Sequence, residues 1–442
     1  MTDIHHSSSI VQHSAADLVH DEAQPYLWTL NFGPQHPATH TTFRLVLKLD
    51  GERVVAAMPD IGYLHSGFEK LGESLDYNQY VTITDRMNYV SPMSNNVGWH
   101  LAVEKLLGIE TPPRCQYIRV IISELSRITD HLLCLGAMGL DTGAFTHFIY
   151  AFNPREQIYD ICEALCGARL TNSYTRVGGL MCDISPKAIA MIRDFLKTLP
   201  NTLADMERLM NRNRIFVNRT AGIGLLGRAE AINRSCSGPV ARASGVTRDL
   251  RKDEPYLAYK DFDFNVCCAE AGDCFARYLV RMGEMRESIK IIHQAIENLP
   301  EGPVNVGDLR SAGVSPASFG AGGTPASSRA DGTPALPSHV ILPDKGKVFS
   351  TIEGLITHFE LVMTNRGFPT PSEEVYCATE APNGELGFYI VGDGSERAYR
   401  ARCRPPSFIH FALFQHLIRG HTLSDIVAVL GSLNIIAAEL DR

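Results

Sequence analysis

Ile118-Arg119-Val120-Ile121-Ile122-Ser123-Glu124-Leu125-Ser126-Arg127-Ile128-Thr129-Asp130-His131-Leu132-Leu133-Cys134-Leu135-Gly136-Ala137-Met138-Gly139 decides the fold class. Ile118, Ile121, Leu125, Ile128, Leu132, Leu135 and Gly139 recur at spacings of 3-4-3-4-3-4, which keeps one stripe of an α-helix apolar. The other face offers Glu124, Arg127, Asp130 and His131, and reads as a solvated or subunit-facing ion-pair surface. The adjoining run Leu132–Phe152 comes nearest to a membrane span. It contains Asp141, His147 and three glycines, which suit a buried protein core better than lipid.

Working outward, helices are predicted over Phe68–Met87, from a cap at Ser94 or Asn95 to Leu107-Gly108, and over Arg155–Cys166, Pro186–Leu209, Asp273–Leu299, Thr351–Thr364, Pro406–Arg419 and Leu423–Leu433. Leu27–Phe32 reads as a strand. Phe43, Leu45, Leu47 and Leu49 alternate with polar or smaller residues, Asp50-Gly51 is a hairpin turn, and Arg53–Met58 is the return strand. A second hairpin is expected where Val375–Thr379 and Leu386–Val391 flank Asn383-Gly384. The expected class is therefore α+β, mainly α, with small β-hairpins near both ends.

Order is expected to begin near Pro25, after a polar tail over 1–24 that holds four of the sixteen histidines. Within Ser311–Ser338, 21 of 28 residues are Gly, Ala, Ser or Pro, too few apolar groups to offset ordering entropy, so a surface insertion is expected there. The rest of 25–442 reads as one domain.

Of 442 residues, 45% are hydrophobic and 20% charged, which excludes global disorder. A net charge of −8 argues against nucleic-acid binding or electrostatic docking to an anionic bilayer. Eleven cysteines without a C-x-x-C pair fit reduced thiols, not a disulfide framework, a zinc ribbon or an iron–sulfur ligand set. No G-x-G-x-x-G, Walker or nucleophile-elbow motif occurs.

Four sets of residues can carry chemistry. His36 and His40 lie in the loop Gly33-Pro34-Gln35-His36-Pro37-Ala38-Thr39-His40, where prolines stiffen the backbone. A rigid histidine there can be structural, can donate to a ligand carbonyl, or can bind metal, although no nearby ligand set completes a metal site. Arg86 and Tyr89 lie in Asp85-Arg86-Met87-Asn88-Tyr89, where a phenol can donate to a polarised carbonyl or be satisfied by backbone. Asp141 sits in apolar surroundings, either as turn chemistry with Thr142-Gly143 or as the partner that orients and charges a histidine. Glu124, Arg127 and His131 form the last set.

Several stretches, in order, resemble the 49-kDa-type (D-type) subunit family of the proton-pumping NADH–quinone oxidoreductase, respiratory complex I. They are Asn31–His40, Ile61-Gly62-Tyr63-Leu64-His65, Asp85–Ser91, Leu101–Leu107, Gly167-Ala168-Arg169, Asp249–Tyr256, Glu380–Gly387 and the terminal Asp441-Arg442. The resemblance implies a core like that of the nickel–iron hydrogenase large subunit, emptied of metal. The C-x-x-C pairs that hold nickel in hydrogenases are indeed missing from this sequence. It also implies that His40 and Tyr89 bind and protonate a quinone head group, with Asp141 orienting His40 and with His36 and Arg86 in support. No cofactor would be bound by this chain. Electrons would come from an iron–sulfur cluster in a partner, the cluster-bearing B-type subunit, with the C-type subunit and membrane subunits as further partners. The location implied is peripheral, on the cytoplasmic side of the bacterial inner membrane. A non-catalytic scaffold of the same complex, or the large subunit of a related membrane-bound hydrogenase-type complex, is the alternative. The sequence departs from the family pattern at Thr41, at Asp60, where the family has His, and at Ala437-Ala438, where it has Phe-Gly.

Overall fold

The computed structural model describes residues 26–40, 42–306, 340–343, 345–363 and 367–442. The tail expected over 1–24, the insertion expected over 311–338 and Thr41 lie outside the described residues. Three antiparallel strands open the fold: β1 (Trp28–Phe32), β2 (Arg44–Asp50) and β3 (Arg53–Asp60), with β2 central. Short helices α1 (Phe68–Gly72) and α2 (Val81–Thr84) precede the long α3 (Pro92–Leu107), α4 (Pro113–Asp141) and α5 (Phe145–Cys166). A ribbon of β4 (Thr175–Arg176) and β5 (Gly179–Leu180) leads to α6 (Pro186–Met210). The short α7 (Arg214–Thr220), α8 (Arg228–Asn233), α9 (Gly238–Arg242) and α10 (Leu250–Asp253) come before α11 (Cys274–Glu297). Next come α12 (Lys345–Ser350), α13 (Ile352–Val362) and a second antiparallel sheet, β6 (Glu374–Ala381), β7 (Gly384–Gly392) and β8 (Ala398–Arg404). The chain closes with α14 (Pro406–Ala412), α15 (Phe414–Ile418), α16 (Asp425–Leu433) and α17 (Ala437–Asp441). The mainly α, α+β class expected from the pattern is the one observed.

Helix α4 is the axis, packed by α3, α5, α11 and α16. Its apolar stripe joins residues of α5, α6 and α11 in the largest core cluster. In the first sheet Leu47 faces Leu30 on one side and Ala57 on the other. Leu45, Leu47 and Leu49 pack against Phe414, Leu417, Ile426 and Leu430, which ties the N-terminal sheet to α15 and α16.

Several expectations are corrected. Phe68–Met87 is not one helix but the short α1 and α2 joined by turns. Helix α3 starts at Pro92, ahead of Ser94, because proline is favoured in a first helical turn where its missing N–H costs nothing. Helix α5 starts at Phe145, ten residues before Arg155. Pro406–Arg419 divides into α14 and α15. Leu132–Phe152 is only partly core: it is largely buried through Gly139 and again at His147 and Ala151, whereas Leu140, Phe145, Ile149 and Tyr150 are exposed.

The polar face of α4 is not solvated either. Glu124, Arg127, Asp130 and His131 are all buried, because other elements supply counter-charges or, for Asp130, the amide donors of Asn88 and Asn434. Glu124 Oε2 meets Arg127 at 3.2 Å, and its carboxylate accepts from Arg251 at 3.1 Å, from Tyr259 at 2.7 Å and from Ser288 at 2.6 Å. His131 Nε2 lies 2.9 Å from Glu284, which pairs with Arg242, and Arg242 also donates to Glu380 at 2.7 Å.

The motif Ile61–His65 meets the end of the chain. Gly62 and Leu64 N–H donate to the Asp441 carboxylate at 2.9 and 2.7 Å, and His65 Nδ1 lies 2.7 Å from the Asp441 carbonyl.

Arg242 pairs with three buried carboxylates, Glu284, Glu380 and Asp249, so Arg242→Met removes this cation from all three. A loss of ~3–5 kcal/mol is expected. It would be read as a collapse in the yield and melting temperature of the assembled complex; an unchanged melting curve would contradict this account.

Candidate functional site

The loop after β1 makes a tight return. Gly33 has φ +99°, and a Cβ there would collide with the Phe43 carbonyl oxygen, so only glycine fits. Pro37–Thr39 forms one 3₁₀ turn. His36 caps it: Nδ1 accepts from Ala38 N–H at 3.2 Å, and its carbonyl accepts from the Thr39 hydroxyl at 2.8 Å. Its ring rests on Phe32, 4.3 Å between centroids. His36 is thus a brace for the loop.

His40, the next residue after the turn, adopts the left-handed conformation with φ 57°, which an ordinary side chain rarely accepts. That backbone projects the ring onto the C-terminal end of α4. His40 Nε2 lies 2.8 Å from Asp141 Oδ1, across 101 residues of sequence. The imidazole remains 27% exposed and the Asp141 side chain 9%, so the pair is held from behind and open in front. Asp141 Oδ2 is buried without a hydrogen-bond partner.

Tyr89 is half-buried in the turn between α2 and α3. Asn88 shapes that turn: its side-chain oxygen accepts from Val90 and Ser91 N–H at 3.2 and 3.3 Å, and its amide donates to Asp130 at 3.0 Å. Burial pushes the Tyr89 phenol above its usual range and the Asp130 charge adds to this, with Arg155 opposing. Tyr89 therefore keeps its proton at neutral pH. Arg86 is exposed and donates to Asp85 at 2.9 Å and to the Thr82 carbonyl. Among the described residues no hydrogen bond or ion pair joins Tyr89 or Arg86 to His40 or Asp141. A cleft lined by Val90, Met93, Leu125, Thr129, Ile158 and Tyr159 runs between α3, α4 and α5 beside the Tyr89 turn.

Among the described residues no cluster of three or more His, Cys, Asp or Glu is placed to hold a metal, and no helix is long and apolar enough to cross a membrane. The sequence model of the family described as the respiratory-chain NADH dehydrogenase 49 Kd subunit matches residues 141–442. The chain belongs to that family. It is 46% identical over 413 residues to a D-type subunit of the NADH-quinone oxidoreductase of Sinorhizobium medicae, covering 93% of this chain and 95% of the relative. It is 44% identical over 413 residues to the corresponding subunit of Methylacidiphilum infernorum, covering 93% and 91%. That of Geotalea uraniireducens is 44% identical over 420 residues, covering 95% of this chain and 100% of the relative.

Membership of the 49-kDa-type family gives the departures a frame. Asp60, where the resemblance led to a histidine being expected, is engaged: Arg44 Nε donates to it at 2.9 Å across β2 and β3. Ala437 and Ala438 are buried in α17.

The sequence reading missed Glu439. It is fully enclosed, accepts from Ser407 Oγ at 2.5 Å and faces the Asp130 charge. Burial, reinforced by Asp130, pushes its carboxyl up to about 8. The only sequence signal was a lone carboxylate between Ala438 and Leu440.

In an unfolded chain Glu439 ionises near the ordinary carboxylate value, so between roughly pH 4.5 and pH 8 the folded state binds the extra proton. Its contribution to stability is present below that window and is lost as pH rises through it. Glu439→Gln should therefore gain melting temperature relative to wild type from about pH 5 to about pH 8. Parallel curves for the two proteins would refute the burial-held proton.

Proposed function

We propose that this chain forms the quinone-reducing site of an NADH:quinone oxidoreductase complex, with His40 and Tyr89 as proton donors and Asp141 as the residue that orients His40. The single observation that carries the reading is the His40–Asp141 contact at 2.8 Å, made by a histidine held in a rare backbone conformation. Such local strain persists where the surroundings demand one placement of one side chain. Family membership supplies the reaction class.

Quinone reduction adds two electrons and two protons, so each developing oxygen anion needs a donor. His40, when protonated, serves one oxygen. Tyr89 keeps its phenolic proton and serves the other. Asp141 fixes the ring of His40 so that Nδ1 is left for the substrate, since Nε2 is occupied. The electrons come, in this reading, from an iron–sulfur cluster in the neighbouring B-type subunit. The exposed front of His40 requires a second chain to exclude water, which supports a site shared between subunits.

Two apolar surfaces support assembly with further subunits. Leu140, Phe145, Ile149 and Tyr150 are exposed beside Asp141, and Ile352, Leu355, Ile356 and Phe359 are exposed on α13. In this reading the first faces the membrane subunits and the quinone tail, and the chain is peripheral on the cytoplasmic side of the inner membrane, with the C-type subunit as another neighbour. The energy of reduction passes to proton pumping elsewhere in the complex.

His40→Ala and Tyr89→Phe should each lower quinone reductase activity roughly ten- to hundredfold, the worth of ~1.5–3 kcal/mol for a charge-assisted hydrogen bond. The assembled complex and its upstream NADH oxidation should persist. Full quinone reductase activity in both variants would remove these residues from the mechanism.

A further inference from the structure

We propose that Gly431, together with the two buried arginines that hold its turn of α16, is the positioning device for the His40–Asp141 pair. The proposal rests on the reading of that pair as the proton-donating end of the quinone site.

Gly431 lies within α16 with ordinary helical geometry, so no backbone requirement explains a glycine there. Space explains it. A Cβ at this position would stand 3.2 Å from Asp141 Oδ2, 3.2 Å from Met138 Cγ and 3.7 Å from His40 Cε1. Contacts that close are tighter than ordinary packing, so the Asp141 carboxylate and the Met138 side chain would have to give by a few tenths of an ångström. The Asp141 oxygen in question is the one without a hydrogen-bond partner, so shape alone holds it on that side.

The floor under the pair is itself pinned. The Gly431 carbonyl accepts from the Cys134 thiol of α4 at 3.4 Å. At the next residue, Arg281 donates to the Ser432 carbonyl at 2.7 Å and Arg277 donates to the Ser432 hydroxyl at 3.0 Å. Both guanidiniums are fully buried, and neither forms an ion pair among the described residues. Burying a guanidinium without a carboxylate is costly. Arg277 also ties Gly224 and Gly272 to this point, through their carbonyls at 2.7 and 3.1 Å. The arginines thus act as rigid struts from α11 to the turn that touches Asp141, and Gly431 gives that turn its close approach.

The test is Gly431→Ala in the whole complex. Alanine suits a helix better than glycine, so assembly and melting temperature should be retained. Quinone reductase kcat should fall about tenfold with a smaller change in KM, the pH profile of kcat should shift, and NADH oxidation by an artificial acceptor should be unchanged. In a His40→Gln background the same substitution should add nothing, because the pair it positions is gone. Arg281→Met, which frees the turn instead of crowding it, should shift the pH profile too and serves if Gly431→Ala fails to assemble. Wild-type kcat and pH profile in an assembled Gly431→Ala or Arg281→Met complex would overturn the inference, as would independent multiplication of the Gly431→Ala and His40→Gln effects. If His40→Ala alone is fully active, the reading beneath it fails instead.

Discussion

Helix α4 is buried around most of its circumference, so the charged side chains along its middle must find their partners inside the protein. That constraint organises the molecule. Glu124 draws in Arg251 and Tyr259, His131 draws in Glu284, and Asp130 draws in Asn88 and Asn434. These bonds fix α10, α11, the Tyr89 turn and the C-terminal segment around one axis. Buried ion pairs add little net stability compared with apolar packing, but each is intolerant of a missing partner, so together they favour one arrangement. Asp141, the last residue of the same helix, continues the pattern at the surface, where its partner is the imidazole of His40.

Much of the architecture was legible in the sequence because it is periodic. The 118–139 stripe, the helices at 186–210 and 274–297 and both hairpins follow from spacing and turn chemistry. The burial of the α4 polar face was not legible. Glu124 looks like a surface residue until Arg251, 127 positions away, is placed against it. Local pattern reports which residues share a face and not what that face meets. The break between α1 and α2 escaped for a similar reason, since tertiary contacts decide there whether apolar residues continue a helix.

The site divides in the same way. His40 and Asp141 each stood out, one in a proline-braced loop and one as a carboxylate in an apolar run, but nothing local joins residues 101 apart. His36 and His40 were indistinguishable by spacing. The fold separates them, turning one into a cap for its own loop and aiming the other at α4. Gly431 and Glu439 were silent because their significance lies in a distance and in an enclosure, neither of which a sequence states. The departure at Asp60 is local in effect, since Arg44 answers it on the adjacent strand.

Asp441 is bonded to Gly62 and Leu64 across 379 and 377 residues. A nascent chain emerging from the ribosome presents residues 61–65 long before their partner has been made. Those backbone groups must wait in water, or be sheltered by a chaperone, while the intervening chain is synthesised. Asp441 therefore works as a latch that closes only after the intervening chain has been made, and a polypeptide without it would leave this loop unfastened.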